Sequence, residues 1–337
     1  MKRFLSRVLP LLLSFGLIFN CTGCSTVLVL AGKARENSEA SSSVISESSA
    51  SSGVISTPVP TEDGDLRAFY TDVANAESVT VMVYMIGSDL ESEDGSATDD
   101  LLEMADAALS ENVHLVLQTG GTETWWNDVC TDDESERFVI ENGDMTLLQS
   151  LGSMNMTDAD TLSDFIRFSA ESYPADRYEL ILWDHGGGTM TGFGYDELYE
   201  DTSLTLSSLS TALYNGGVQF DFIGFDACLM ATAEVAYALD PYADYLIASE
   251  ESEPGEGWAY KNWLTMLAEN PAVPTAELGK KLADDFLEAY IFADMPTLSV
   301  LDLRYVPELY AALESYWGSA YAALQSGSYG AFSQVRN

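Results

Sequence analysis

Residues 178–197 read YELILWDHGGGTMTGFGYDE, and the fold of the chain turns on how this stretch is parsed. An apolar run long enough for one strand ends in Asp184 and His185, and three glycines follow. Continuous apolar runs of this length mark strands covered on both faces, as in parallel sheets. The stretch is therefore predicted to be a buried strand that carries an imidazole out to an open sheet edge. The chain has only 2 histidines, so placing one directly before a string of glycines calls for a partner group.

The flanking sequence alternates in the same way. SVTVMVYMIGSD (78–89), NVHLVLQTGG (112–121), QFDFIGFDA (219–227) and DYLIASE (244–250) read as strands. Between them, ATDDLLEMADAAL, DADTLSDFIRFSAESY, LTLSSLSTALYNGG and LMATAEVAYALDPYA show apolar residues at helical spacing. ERFVIENGDMTLLQSLG is predicted to be a hairpin, because two β-type runs flank Asn142 and Gly143. The whole is an α/β fold: a mostly parallel sheet with helices on both faces. The helical stretches after residue 275 either pack on that sheet or begin a second lobe. No tandem repeat interrupts the pattern.

In open sheets of this kind, ligands bind outside the carboxyl ends of the strands. His185 and Cys228 both end strands there, and a single right-handed crossover joins the two strands, so the side chains are expected to meet. An imidazole beside a thiol takes its proton and later returns it to a leaving amine. Glycines after the histidine let backbone amides approach a reacting carbonyl, so the N–H groups of Gly186 and Cys228 are candidate oxyanion donors. The helix predicted to follow Cys228 adds a favourable dipole. Each feature alone has a plainer explanation, since a strand-end cysteine is usually a small core residue and GGG a turn. Their joint placement at one edge points to acyl transfer. His114, with no glycines after it, reads as structural. Two histidines without HExxH or paired CxxC spacing disfavour zinc. GGGTMTG lacks the Lys-Ser/Thr of a phosphate loop, and no GxSxG elbow is present.

The chain of 337 residues carries 54 Asp+Glu against 14 Lys+Arg, a formal charge of −40. That field repels nucleic acid, keeps a protein soluble and favours cationic substrates. Residues 1–23 open with Lys2, Arg3 and Arg7 before a short apolar stretch, an export signal. CTGC at 21–24 resembles the lipobox of bacterial lipoproteins, making Cys24 the lipidated residue and placing the protein on the outer face of the cell membrane. A plain secretory signal is the alternative. Residues 24–77 are Ser-rich and aperiodic, a flexible tether, and 78–337 form the folded domain. Of the two remaining thiols, Cys130 lies in a polar stretch and Cys228 at a strand end, which favours a chemical role over a disulfide.

ILWDHGGG, DFIGFDACLMATAEVAYAL and YLIASEESEPGEGWAY, in that order, resemble the clostripain family of cysteine peptidases, as do VMVYMIGSDLESEDGSATDDLLEM and GGTETWW. The resemblance covers most of residues 78–270 and implies a caspase-like fold, with His185 as base and acid and Cys228 as nucleophile. It further implies cleavage after Arg or Lys, with an acidic residue in the pocket for the P1 side chain. Asp226, two residues before the cysteine, takes that role under the resemblance, although on the residues alone it could equally cap the next helix. A second pocket acid is open among Glu250, Glu251, Glu253 and Glu256. No cofactor is needed for this chemistry; calcium dependence is known in the family, yet DLESEDGSATDD is not an EF-hand. Relatives are commonly cut between the histidine and the cysteine, but residues 186–227 contain no Lys or Arg. The domain is therefore expected to work as a single chain and a monomer, with Lys33, Arg35 and Arg67 as candidate points of self-release. The chain ends in GAFSQVRN where relatives continue, and truncation is one reading of that. The competing function is a binding lipoprotein that captures basic peptides without cleaving them.

Overall fold

The computed structural model describes residues 66–199, 202–290, 296–327 and 329–330. The signal segment, most of the tether and Cys24 lie outside the described residues. Within them, Val79–Ile86 (β1), Val113–Gly120 (β2), Ser135–Glu141 (β3), Asp144–Gly152 (β4), Arg177–Trp183 (β5), Phe220–Asp226 (β6), Ala243–Ala248 (β7) and Ser299–Asp302 (β8) form one sheet. Its strand order is β4-β3-β2-β1-β5-β6-β7-β8. β2, β1, β5, β6 and β7 run parallel, and antiparallel pairings add β3, β4 and β8 at the two margins.

The alternation along β1 shows how the sheet is covered. Val79, Val81, Val83 and Met85 face one core with Leu101 and Met104 of α2 (Ser96–Ala105), Trp263 and Leu264 of α7 (Tyr260–Glu269), and Leu278 and Leu282 of α8 (Thr275–Ala289). Met82, Tyr84 and Ile86 face the other core, with Leu162 and Phe165 of α3 (Ala159–Ser172), Leu209 and Leu213 of α5 (Leu206–Gly216), and Val235 and Leu239 of α6 (Ala233–Leu239). Both faces are dry, so the central strands are apolar throughout, as expected for parallel sheets. α8 packs on this same sheet and leads to β8, which decides against a second lobe. Two short helices, α1 (Ser88–Ser92) and α4 (Gly188–Thr191), follow β1 and β5, and a last helix, α9 (Val306–Gln325), follows β8. The hairpin turn is as expected: Asn142 (φ 53°) and Gly143 (φ 84°) join β3 to β4, the left-handed pair that a two-residue connection demands.

Two expectations are corrected. Residues 66–77, assigned to the tether, are packed onto the domain. Arg67 bonds Asp244 at 2.8 Å, Asp240 at 3.3 Å and the Ala243 carbonyl at 2.8 Å, while Asp244 also accepts from the Tyr70 and Thr71 amides. Phe69 stacks on Tyr245, and the Arg304 guanidinium lies 3.6 Å over its ring. A carboxylate buried at the start of β7 needs this cation, so the folded unit reaches back at least to Arg67. The helix after Cys228 also starts later than expected. α6 begins at Ala233, where the Thr232 hydroxyl accepts from the Val235 amide. Cys228 thus stands outside the first turn, and the helix dipole, which falls off within that turn, does not act on the thiol.

Candidate active site

The strand order reverses at β1: the chain passes to β2 on one side and returns as β5 on the other. Such switch points open a crevice at the carboxyl ends of the strands. Three adjacent strands therefore deliver their following residues to one place: Asp89 after β1, His185 after β5 and Cys228 after β6. β5 and β6 are parallel neighbours, with Trp183 opposite Asp226. The two loops touch beyond that point. A side chain on Gly186 would run into the Cys228 peptide, within 3.0 Å of its carbonyl carbon and 3.1 Å of its nitrogen, so only glycine fits there. Gly186 also bridges Phe193, held by the Gly187 amide on the Gly192 carbonyl and the Gly194 amide on the His185 carbonyl. Among the described residues, neither the Gly186 nor the Cys228 N–H is committed to an acceptor.

The thiol of Cys228 is half-buried and accepts from the Glu253 amide at 3.3 Å. The same thiol faces the Glu253 carbonyl at 3.9 Å, so the loop holds the sulfur from both its donor and its acceptor side. Leu229, the next residue, is held at φ 65° and donates its amide to the Glu251 carbonyl at 2.9 Å. A branched residue in the left-handed region is strained, and such strain persists where neighbouring bonds enforce it. The histidine ring is half-exposed, and its Nε2 lies 2.7 Å from Asp89 Oδ1. Asp184 is buried beneath it, accepting from the Ser88 hydroxyl at 2.7 Å and from the Tyr195 amide. Burial raises its pKa to about 7, against the opposing His185 charge and these bonds. The other thiol, Cys130, is buried and free; burial pushes it to about 12, which keeps it protonated and inert. His114 sits at the opposite, amino-terminal end of the sheet, against Tyr173.

Beside Cys228 lies a buried acidic cluster. Asp226 is 5% exposed, and its Oδ2 accepts from the Trp258 amide at 3.0 Å and the Tyr260 hydroxyl at 2.8 Å. Asp100 of α2 accepts from the Trp183 indole at 2.6 Å. A side chain on Gly257 would meet the carboxyls of both Asp100 and Asp226 at 2.8 to 3.1 Å, which brings the two acids to one glycine. Of the four glutamates left open by the sequence, Glu250, Glu251 and Glu256 are exposed, whereas Glu253 turns inward with both carboxyl oxygens buried and unpartnered. Burial, then the charge of Asp226, raises Glu253 and Asp100 well above the usual range. Burial also lifts Asp226 to about 6, against the pull of its donors. Asp226 caps no helix, so the capping alternative lapses. For calcium, no group of three or more His, Cys, Asp or Glu suited to a metal ion occurs among the described residues. The acids nearest the site are engaged by protein donors: Asp89 by His185, and Glu91 by Thr98 and the Trp126 amide.

Sequence reasoning thus brought His185, Gly186, Cys228 and Asp226 to one place, and the structure adds Asp89, Asp100 and Glu253. Comparison with known proteins bears on the fold and the family. A secreted C11 cysteine protease from Bacteroides thetaiotaomicron, solved with an irreversible peptide inhibitor, superposes with a TM-score of 0.58 at 22% identity over 69% of this chain and 68% of its own. An inactive zymogen C11 protease from Parabacteroides distasonis gives 0.55 at 27% identity, over 69% of this chain and 64% of its own. Clostripain from Hathewaya histolytica is 35% identical over 123 residues, 32% of this chain, and the matched stretch spans only 23% of that protein. The sheet is thus the caspase-like fold of these proteases, and because the Clostripain family model matches residues 83–330, the chain belongs to the clostripain family.

Proposed function

We propose that this protein is a cysteine endopeptidase that cuts after Arg or Lys, held outside the cell by a lipid on Cys24. In this reading the Cys228 thiolate attacks the scissile carbonyl and His185 passes the proton to the leaving amine. The amides of Gly186 and Cys228 receive the oxyanion. Water then hydrolyses the acyl-enzyme with His185 as base. Asp226 and Glu253 form the floor of the P1 pocket, with Asp226 Oδ1 free of the bonds that hold Oδ2.

One observation supports the basic specificity above the others: the acids beside Cys228 are buried without an internal cation. Each of the eight Lys and Arg in the described residues pairs with a carboxylate elsewhere, from Arg67 with Asp240 and Asp244 to Arg304 with Asp302. Buried carboxyls are normally matched by a cation or neutralised. A substrate guanidinium or ammonium supplies the missing charge, and the planar Arg fork binds two oxygens at once. The decisive experiment is turnover of peptide amides differing only at P1. Arg should exceed Lys slightly and both should exceed neutral residues; preference for Asp or Asn at P1 would overturn the reading. Self-release, if it occurs, belongs at Lys33 or Arg35, because Arg67 is clamped by Asp240 and Asp244. Intact mass should show no break between His185 and Cys228.

A further inference from the structure

Asp89 was not singled out by the sequence, and no step above uses it. It follows β1 at the strand reversal, and its carboxylate meets the ring of His185 at 2.7 Å. A carboxylate that carries no proton only accepts hydrogen bonds. The ring nitrogen facing it, Nε2, therefore holds the hydrogen, and Nδ1 is left as the basic nitrogen. Which nitrogen is basic decides which one can take a proton from Cys228.

The backbone around Asp89 is built to hold it there. Ser88 is a non-glycine residue at φ 48°, in the left-handed region. It is kept in that state by its amide on the Gly121 carbonyl at 3.1 Å and its hydroxyl on Asp184 at 2.7 Å. The preceding Gly87 amide bonds the Gly120 carbonyl at 2.8 Å. Asp184 is itself the residue before His185. A closed path thus runs from the histidine's own backbone through Asp184 and Ser88 to Asp89, and back to the imidazole. Strain of this kind concentrates where a side chain must be aimed. The second strained residue, Leu229, flanks the nucleophile in the same way.

We propose that Asp89 is a positioning residue that holds His185 with its proton on Nε2 and so presents Nδ1 to the Cys228 thiol. The proposal rests on His185 and Cys228 being the working pair, but not on the P1 specificity. Asp89→Ala frees the ring to rotate and to exchange tautomers. Asp89→Asn does something different: its amide nitrogen can donate to Nε2, placing the ring proton on Nδ1, where it blocks the thiol. A merely structural contact would be rescued by the isosteric Asn; a tautomer-setting contact is not.

The test measures kcat and KM on an Arg peptide amide, the rate of Cys228 alkylation by iodoacetamide, and the 15N resonances of His185, assigned by comparison with His185→Ala. Asp89→Ala should lower kcat by about 10- to 100-fold with KM little changed, and Asp89→Asn should lower it at least as much. These are smaller losses than the about 10⁴-fold seen when the buried aspartate of a serine-protease triad is amidated, because this pair is half-exposed. Alkylation should slow by about tenfold in both variants. The wild-type ring should carry its proton on Nε2, and the Asn variant should move it to Nδ1. Full kcat in Asp89→Asn, or a wild-type ring protonated on Nδ1, overturns the proposal. If Arg and Lys amides are not cleaved while alkylation and tautomer still follow residue 89, the substrate reading fails and the role of Asp89 stands.

Discussion

The two ends of the central strands each bury a cluster of carboxyls, and they solve the same electrostatic problem in opposite ways. At the amino ends, Glu179 of β5 and Asp221 of β6 share the guanidinium of Arg177, which is fully buried and also donates to the Pro271 and Val273 carbonyls at 2.6 and 2.9 Å. Thr275 closes the cluster with a hydrogen bond to Asp221 at 2.5 Å. These bonds tie β5 and β6 to the connection between α7 and α8. At the carboxyl ends, Asp226, Asp100 and the carboxyl oxygens of Glu253 are also buried but have only amides, an indole and a hydroxyl as donors. The first cluster holds its own cation and ties the fold together, with only Arg177 Nε and one Glu179 oxygen left without a hydrogen-bond partner. The second has no internal cation, and under the proposed function a substrate cation completes it.

The sharpest way to break this comparison is at Cys228 and His185, the proposed working pair. Cys228→Ala and His185→Ala should each remove turnover by about 10³-fold or more, as for other residues that act as one catalytic unit. Cys130→Ser, which alters a buried and inert thiol, should leave turnover intact. Labelling with a thiol-reactive Arg peptide, followed by mass spectrometry, reads both outcomes. If turnover survives in Cys228→Ala, Cys228 is not the nucleophile; if the wild type binds Arg peptides without cleaving them, the carboxyl-end cluster serves binding alone.

Exchanging the perturbation between the clusters comes next. Arg177→Met leaves two buried acids without their cation and should destabilise the domain by about 3–5 kcal/mol in urea unfolding. Asp226→Asn should leave stability unchanged or slightly raised, yet reduce kcat/KM for Arg substrates by roughly 10²–10³-fold through loss of a desolvated charge partner. It should barely alter the reaction of Cys228 with a small neutral alkylating reagent. Equal loss of stability in both variants would mean that the clusters do the same work.

Titration separates them with a smaller effect. Glu179 is raised to about 8 from 4.5, Asp184 to about 7 from 3.8, and Asp226 to about 6 from 3.8, in each case chiefly by burial. A carboxyl with a raised folded pKa binds its proton more tightly when native, so stability falls as pH rises through that window. The melting temperature at constant ionic strength should therefore decline from about pH 4 to about pH 8. Asp226→Asn should flatten the portion between about pH 4 and 6 and leave the rest. A basic P1 inhibitor should release protons on binding near pH 6, whereas an inhibitor with a neutral P1 residue should release fewer. The smallest effect belongs to His114→Ala at the amino edge, which should change turnover little and act only through its packing on Tyr173.

Much of this arrangement is legible from residues alone, and the exceptions have identifiable causes. His185, Gly186, Cys228 and Asp226 stand at strand ends marked by a change from apolar to polar or glycine residues, so their edge position could be read directly. Asp89 ends β1 in the same way, within SDLE, and that signal was present; what was missing was the knowledge that β1 lies beside β5. Asp100 lies in a helix whose polar face gives no sign that one of its acids turns inward to Trp183. Glu253 is one of four glutamates in a short acidic segment, and only burial distinguishes it. Thr232, a good capping residue, marks the late start of α6, but the apolar residues before it continue the helical spacing and mask that signal.

The sequence by itself determined the alternation of strands and helices, the Asn142-Gly143 turn, the residues that end each strand and the lack of any basic residue between 186 and 227. These follow from local periodicity and backbone preference, which each segment carries in its own side chains. Only the tertiary structure decided that β1 separates β2 from β5, that Asp89 faces His185, that Arg67 docks on Asp244, and that three carboxyls near Cys228 share no internal cation. Such facts depend on which distant segments are buried against one another. No local pattern encodes that, because the free energy of burying a charge is set by what the rest of the chain places beside it.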